Sequence, residues 1–283
     1  LTHVGKGVTI DTLDVSPDGS ELLYTTLTGK DRGSFHSRLT MVRTDGTGGV
    51  DSLSDGRSLD LTPSFSPAGD QIAFASDRFG RRLSICTMSS TGAPGIRQLT
   101  SGENNVLWPS IDSEPQPRLF YQSMVDTYSF PRVWESQIGT TIRSDLVPAG
   151  GMQPRISPRD DAVLFVGINE KTNKREIFRV SDKGGVPENL TSTPDDDEYD
   201  PAWSRDGSRI AFVVDRNDAD SRGSADASNP DIWIMDLKNN DKPMQITSNA
   251  SIDDHPMWDP SGNFIYFRSN RGGEWGIWKI AVR

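Results

Sequence analysis

The stretch PAWSRDGSRIAFVVDR, residues 201–216, decides the fold because the chain repeats it: PSFSPAGDQIAFASDR occupies 63–78 and PMWDPSGNFIYFRSNR occupies 256–271. Each copy reads as a short strand ending in an aromatic residue, a polar turn with Gly, and an alternating apolar strand. The Asp, Ser, Pro and Gly of the turn supply the backbone angles of a tight hairpin. Weaker copies follow on scanning outward, LDVSPDGSELLYTT from Leu13, PRISPRDDAVLFVG from Pro154 and the degenerate PSIDSEPQPRLFYQS from Pro109. The anchors fall at 13, 63, 109, 154, 201 and 256, a period of roughly 45–55 residues that suits propeller blades.

Beyond each hairpin come a loop, a third strand such as DIWIMD (231–236) or GIWKIA (276–281), and a short closing strand marked RQLT, ENLT or MQIT. The expected fold is therefore all-β, a six-bladed propeller of four-stranded antiparallel blades in one domain, 1–283. The sixth unit runs only to its third strand at Arg283, and the chain opens with LTHVG, which matches the closing-strand signature. Residues 1–5 are expected to complete blade six, which removes the open edges of the seam.

The repeat, carried best by Trp203, Ser204, Asp206, Gly207, Ile232 and Trp233, resembles that of the TolB propeller family. Similar units occur in the propellers of prolyl-oligopeptidase-type enzymes and oligogalacturonate lyases. The resemblance implies the fold; it does not fix a role, because this architecture hosts many. The TolB protein of that family also carries a separate N-terminal α/β domain and a partner-binding peptide, so its whole role does not transfer to these repeats.

Composition narrows the partners. Thirty Lys and Arg against forty Asp and Glu give a net charge of −10, which repels phosphate backbones and anionic lipid. Nucleic acid and membrane insertion are not expected, and no apolar run approaches the ~18 residues of a membrane span. The single cysteine, Cys86, lies in the apolar run LSICTM and reads as a buried free thiol. A start at Leu1 without methionine suggests processed, periplasmic or secreted material, or the propeller of a larger cell-surface protein.

The turn face of the disc reads as structural, so function is sought on the opposite, loop face. There the residues just before the anchors form a ring: Thr12, Thr62, Trp108, Gln153, Asp200 and His255. Trp108, Gln153, Asp200 and His255 are expected to contact a partner, joined by Phe35 from one loop and by Tyr128 and Phe130 from MVDTYSFPR (124–132). His255, beside Asp253 and Asp254, is favoured in its charged form by these carboxylates. Acids at Asp60, Glu198 and Asp253 are expected to accept backbone N–H groups where the inner strands begin. Five tryptophans, Trp134, Trp203, Trp233, Trp258 and Trp278, occupy repeat positions that predict core packing.

The functional expectation is a non-enzymatic protein- or peptide-binding scaffold, with no catalytic residue and no cofactor. The G-x-S-x-G elbow, Walker loop, H-E-x-x-H and Cys/His cluster are all missing from the sequence. DADSRG (218–223) approaches a calcium loop through Asp218 and Asp220, but Arg222 stands where an oxygen donor is required. The alternative is a glycan-binding or metal-dependent polysaccharide lyase-like propeller, with His255 as base and Asp200 and Gln153 as ligands. On the sequence alone, Asp200→Ala and His255→Ala are expected to cost under about 1 kcal/mol.

Overall fold

The computed structural model describes residues 2–4, 6–29, 35–101, 104–124, 130–216, 229–238 and 242–282, with His3 in its backbone only. Within them every regular element is a strand. The chain opens with β1 (Thr2–His3), and blade one follows as β2 (Val8–Val15), β3 (Glu21–Thr28), β4 (His36–Arg43) and β5 (Asp51–Ser52). Blade two is β6 (Asp60–Phe65), β7 (Gln71–Ser76), β8 (Ser84–Ser89) and β9 (Arg97–Gln98). Blade three is β10 (Asn105–Ile111), β11 (Arg118–Met124), β12 (Arg132–Gln137) and β13 (Arg143–Asp145). Blade four is β14 (Met152–Ile156), β15 (Ala162–Asn169), β16 (Lys174–Ser181) and β17 (Glu188–Asn189). Blade five is β18 (Asp197–Trp203), β19 (Arg209–Asp215), β20 (Pro230–Asp236) and β21 (Met244–Gln245). Blade six holds β22 (Asp253–Trp258), β23 (Phe264–Ser269) and β24 (Gly276–Ala281), and β1 lies beside β24 as its fourth strand.

Six four-stranded antiparallel sheets thus make a six-bladed β-propeller. At the seam Thr2 pairs with Ile277 and His3 with Gly276, while the Val4 amide donates to the Trp275 carbonyl at 3.2 Å. The core lies between blades. Leu23, Leu39, Phe65, Phe74 and Cys86 pack blade one on blade two; Phe120, Val133, Val163 and Phe165 pack three on four. Each such apolar side chain stabilises by about 1.5–3 kcal/mol. Cys86 is fully buried and free, and burial pushes its thiol pKa up to about 11. Of the five repeat tryptophans Trp258 is buried, and the other four are half-buried against the same cores. The Trp203 indole N–H also donates to the Arg155 carbonyl, 3.0 Å, tying blade five to blade four.

One local feature recurs on every inner strand. The ladder slips at the ring position, between Leu61 and Ser64, Leu107 and Ser110, Met152 and Arg155, Tyr199 and Ala202, and Asp254 and Met257, with the same slip at Ile10 and Leu13. Thr62, Trp108, Gln153, Asp200 and His255 sit there with φ of 47°, 57°, 51°, 52° and 52°. That is the left-handed region, which non-glycine residues adopt at a cost of order 1–3 kcal/mol. The proline that follows each of them has no N–H, so the bulge leaves no donor orphaned at that step. Thr12 precedes Leu13 and stands outside the set.

The acids three positions before the anchor prolines bond differently from expectation. Asp60 accepts from the Ser76 hydroxyl at 2.7 Å and from Arg78 through both oxygens at 2.7 and 2.8 Å; Asp253 accepts from Arg271 and Asn249 at 2.6 Å each. Glu198 accepts the hydroxyls of Thr191 and Thr193. These are side-chain donors; in two copies one is the Arg of the S-x-R triplet at the end of the second strand, joined by the triplet's Ser at Asp60 and by Asn249 at Asp253. A fully buried carboxylate needs a charged partner more than a single amide can supply.

Candidate functional site

The bulge sets the ring. At three of the left-handed ring residues the amide donates to a neighbouring side chain. Trp108 N–H donates to Thr62 Oγ1 at 3.0 Å, Gln153 N–H to Gln122 Oε1 at 3.1 Å, and Asp200 N–H to Gln153 Oε1 at 2.9 Å. The Gln153 amide group returns a bond to Asp200 Oδ1 at 2.5 Å. The ring therefore fastens blade to blade as well as lining the channel.

His255 Nδ1 lies 3.0 Å from Asp200 Oδ2 and 3.3 Å from Asp254 Oδ1, contacts of charge without the alignment of hydrogen bonds. Its ring stacks on Trp108, centroids 5.9 Å apart. Burial works against a charged imidazole, but the Asp200 and Asp254 carboxylates outweigh it and raise the His255 pKa. Asp254 is likewise buried, yet His255 and Arg268 hold its pKa down to about 2. Arg268 grips Asp254 through both oxygens and donates to the Ile10 carbonyl at 2.6 Å. Asp11 closes this group with a pKa raised by burial.

The structure thus brings Trp108, Gln153, Asp200 and His255 together around a small cavity of about 10 Å³, room for about one water. Phe35 and Phe130 are exposed, 49% and 38%, where the loops before β4 and β12 leave the loop face. Phe130 rests on Gly150, where a Cβ would sit 2.5 Å from its ring. Tyr128, Asp218 and Asp220 lie outside the described residues. Among the described residues, no group of three or more His, Cys, Asp or Glu side chains is placed to hold a metal ion. The carboxylates that favour the charged form of His255 also disfavour the lyase-like donor set, because an imidazolium has no lone pair to give a metal.

Sequence reasoning missed a second tier. Two residues past each ring position stand Asp14, Ser64, Ser110, Arg155, Ala202 and Met257, which line a cavity of about 410 Å³ opening between the turns at Pro17, Pro67, Pro158 and Pro260. The wide end of the channel is the turn face, which the turn chemistry alone reads as structural. The signal was available as the alternation of strand side chains, i and i+2 on one face.

This fold is matched across known proteins. The architecture is that of the TolB propeller. The TolB structure from Acinetobacter baumannii superposes over 99% of this chain and 62% of its own, with a TM-score of 0.71 at 19% identity. An oligogalacturonate lyase from Vibrio parahaemolyticus covers 99% of this chain and 92% of its own, with a TM-score of 0.62 at 13% identity. Among curated sequences, an uncharacterised protein of Agrobacterium fabrum is 28% identical over 127 residues, 45% of this chain. The uncharacterised peptidase YuxL of Bacillus subtilis is 29% identical over 225 residues, 78% of this chain. The matched part of the chain spans 39% and 31% of these two relatives. No family model matches. TolB-type neighbours therefore share the fold with lyase and peptidase propellers.

Proposed function

We propose that this propeller is a non-enzymatic module that binds a protein or extended peptide across the loop face. The observation that carries the reading is the contrast on that face. Its titratable groups, His255, Asp200 and Asp254, are spent on one another and on Arg268, whereas Phe35 and Phe130 are exposed just before β4 and β12. Exposed aromatic anchors suit a protein interface better than proton transfer, which needs a group free to change its protonation. The likeness to TolB-type propellers supports the same reading, and the lyase and peptidase propellers among the neighbours make catalysis the competing one.

The test uses the immobilised chain and its Phe35→Ser/Phe130→Ser variant, both challenged with an envelope extract. A protein retained by the parent and released by the variant is the expected result; identical retention by both would remove the loop face from consideration. Unsaturated uronate released from polygalacturonate, and lost in His255→Ala, would replace this reading with the lyase-like one. A periplasmic or secreted location belongs to the same proposal and is tested by cell fractionation.

A further inference from the structure

The turn-face cavity holds two opposite charges whose circumstances differ. Asp14, on blade one, is satisfied: its carboxylate accepts the Phe65 amide at 2.7 Å and the Val15 amide at 2.9 Å. Arg155 stands across the channel on blade four. Among the described residues it faces the Trp108 ring, 5.4 Å away, and the carboxylate charges of Asp14 and Asp200, which act on it through space. Burial lowers its pKa, and those two carboxylates offset the loss only in part. A guanidinium carries five N–H donors in a rigid fork, and donors deep in a protein call for acceptors.

The cavity around Arg155 is shaped to supply them from outside. Arg155 lines both the ring chamber and the turn-face funnel, so it stands at the waist of the channel with its fork reachable from the wide end. Beside it, the Ser110 hydroxyl oxygen accepts the Ile156 amide at 3.1 Å, which leaves its proton to donate. Arg159 and Arg205 add two exposed cations at the rim, the first donating to the backbone of the second at 3.3 Å. Three arginines line the cavity against two carboxylates, Asp14 and Asp112, so in a chain of net charge −10 the lining carries a small excess of positive charge. A volume of about 410 Å³ falls within the range of small-ligand pockets.

We propose that the turn-face funnel is a binding site for a small ligand bearing an oxyanion, its oxygens seated on the Arg155 guanidinium and the Ser110 hydroxyl. The ligand enters between the turns, so this site is separate from the loop-face partner surface and stands or falls independently of it. Carboxylate and phosphate share the recognising chemistry, a pair of acceptor oxygens that an Arg fork engages in parallel.

Calorimetric titration at low salt with citrate in one arm and inorganic phosphate in the other tests the assignment. One anion or both should bind the parent saturably at one site, and the stronger arm names the oxyanion. Arg155→Met, which keeps the contact with Trp108, should weaken that binding by about tenfold or more, with its thermal unfolding confirming a folded protein. If that variant does not fold, Arg159→Glu combined with Arg205→Glu decides the matter at the exposed rim. It should weaken binding several-fold and reverse the salt dependence. No saturable binding of either anion to the parent, or binding that neither variant alters, would overturn the proposal.

Discussion

At the scale of single residues, two buried titratable groups both weaken the fold as pH rises, one by losing a favoured cation and the other by losing a favoured neutral acid. His255 holds a raised pKa between Asp200 and Asp254, so its charged form is favoured in the folded state. The stability it adds is fully present below its ordinary pKa of 6.5 and is lost as pH rises through its higher folded value. His255→Ala should therefore cost about 2–4 kcal/mol in acid, because it leaves Asp200 without its cation, and less in base. This exceeds the cost of under about 1 kcal/mol expected from the sequence alone. Urea unfolding of parent and variant at about pH 5.5 and 9 checks it; an equal difference at both would refute the account. Glu198 moves stability in the same direction from the opposite cause, since burial disfavours its charged form and raises its pKa from 4.5 to about 8. The folded state keeps a proton that the unfolded state releases, so stability falls as pH rises between those values. Glu198→Gln should remove that decline and be more stable than the parent in base, read from melting curves across the same range.

At the scale of the element, the clip between a strand start and the end of its neighbour carries the argument. Asp60 is fully buried and takes both Arg78 nitrogen contacts and the Ser76 hydroxyl. Asp60→Ala should cost about 2–4 kcal/mol, below the upper end for buried pairs because the Arg78 side chain keeps 20% exposure and can find water. A change under about 0.5 kcal/mol in denaturant titration would show the clip to be incidental. Gly150 has φ +99° and no room for a Cβ beneath Phe130. Gly150→Ala should destabilise by about 1–3 kcal/mol and displace the exposed ring, which would show as weaker partner retention.

At the scale of the whole molecule, stability depends on closing the circle. The two-residue strand β1 and the buried Val4 join the N-terminal segment to β24 and to the core shared by blades five, six and one. Removing residues 1–5 should expose the edge of β24 and open a path into that core, lowering the melting midpoint by several degrees. Calorimetry of the truncated chain at several concentrations would show this, with edge-to-edge association as the accompanying sign. An unchanged midpoint would mean that blade six holds with three strands.

The sequence by itself determined the number of blades, their anchors, the turn chemistry and the match of the first residues to the missing fourth strand. Those follow from local rules, strand alternation and turn preference, applied to a repeat that says the same thing several times. It also named the ring, because an X-Pro step recurs at a fixed place in the repeat. What only the tertiary structure decided is who faces whom across the circle. Asp14 and Arg155 belong to blades one and four, and His255 reaches Asp200 of the neighbouring blade; no local pattern couples residues so far apart in the chain. Their meeting depends on the angle at which each blade leaves the channel, and hence on the packing between all six. The same closure buries charges that the sequence shows as ordinary polar loop residues, and burial is what turns them into ion pairs and raised or lowered pKa values.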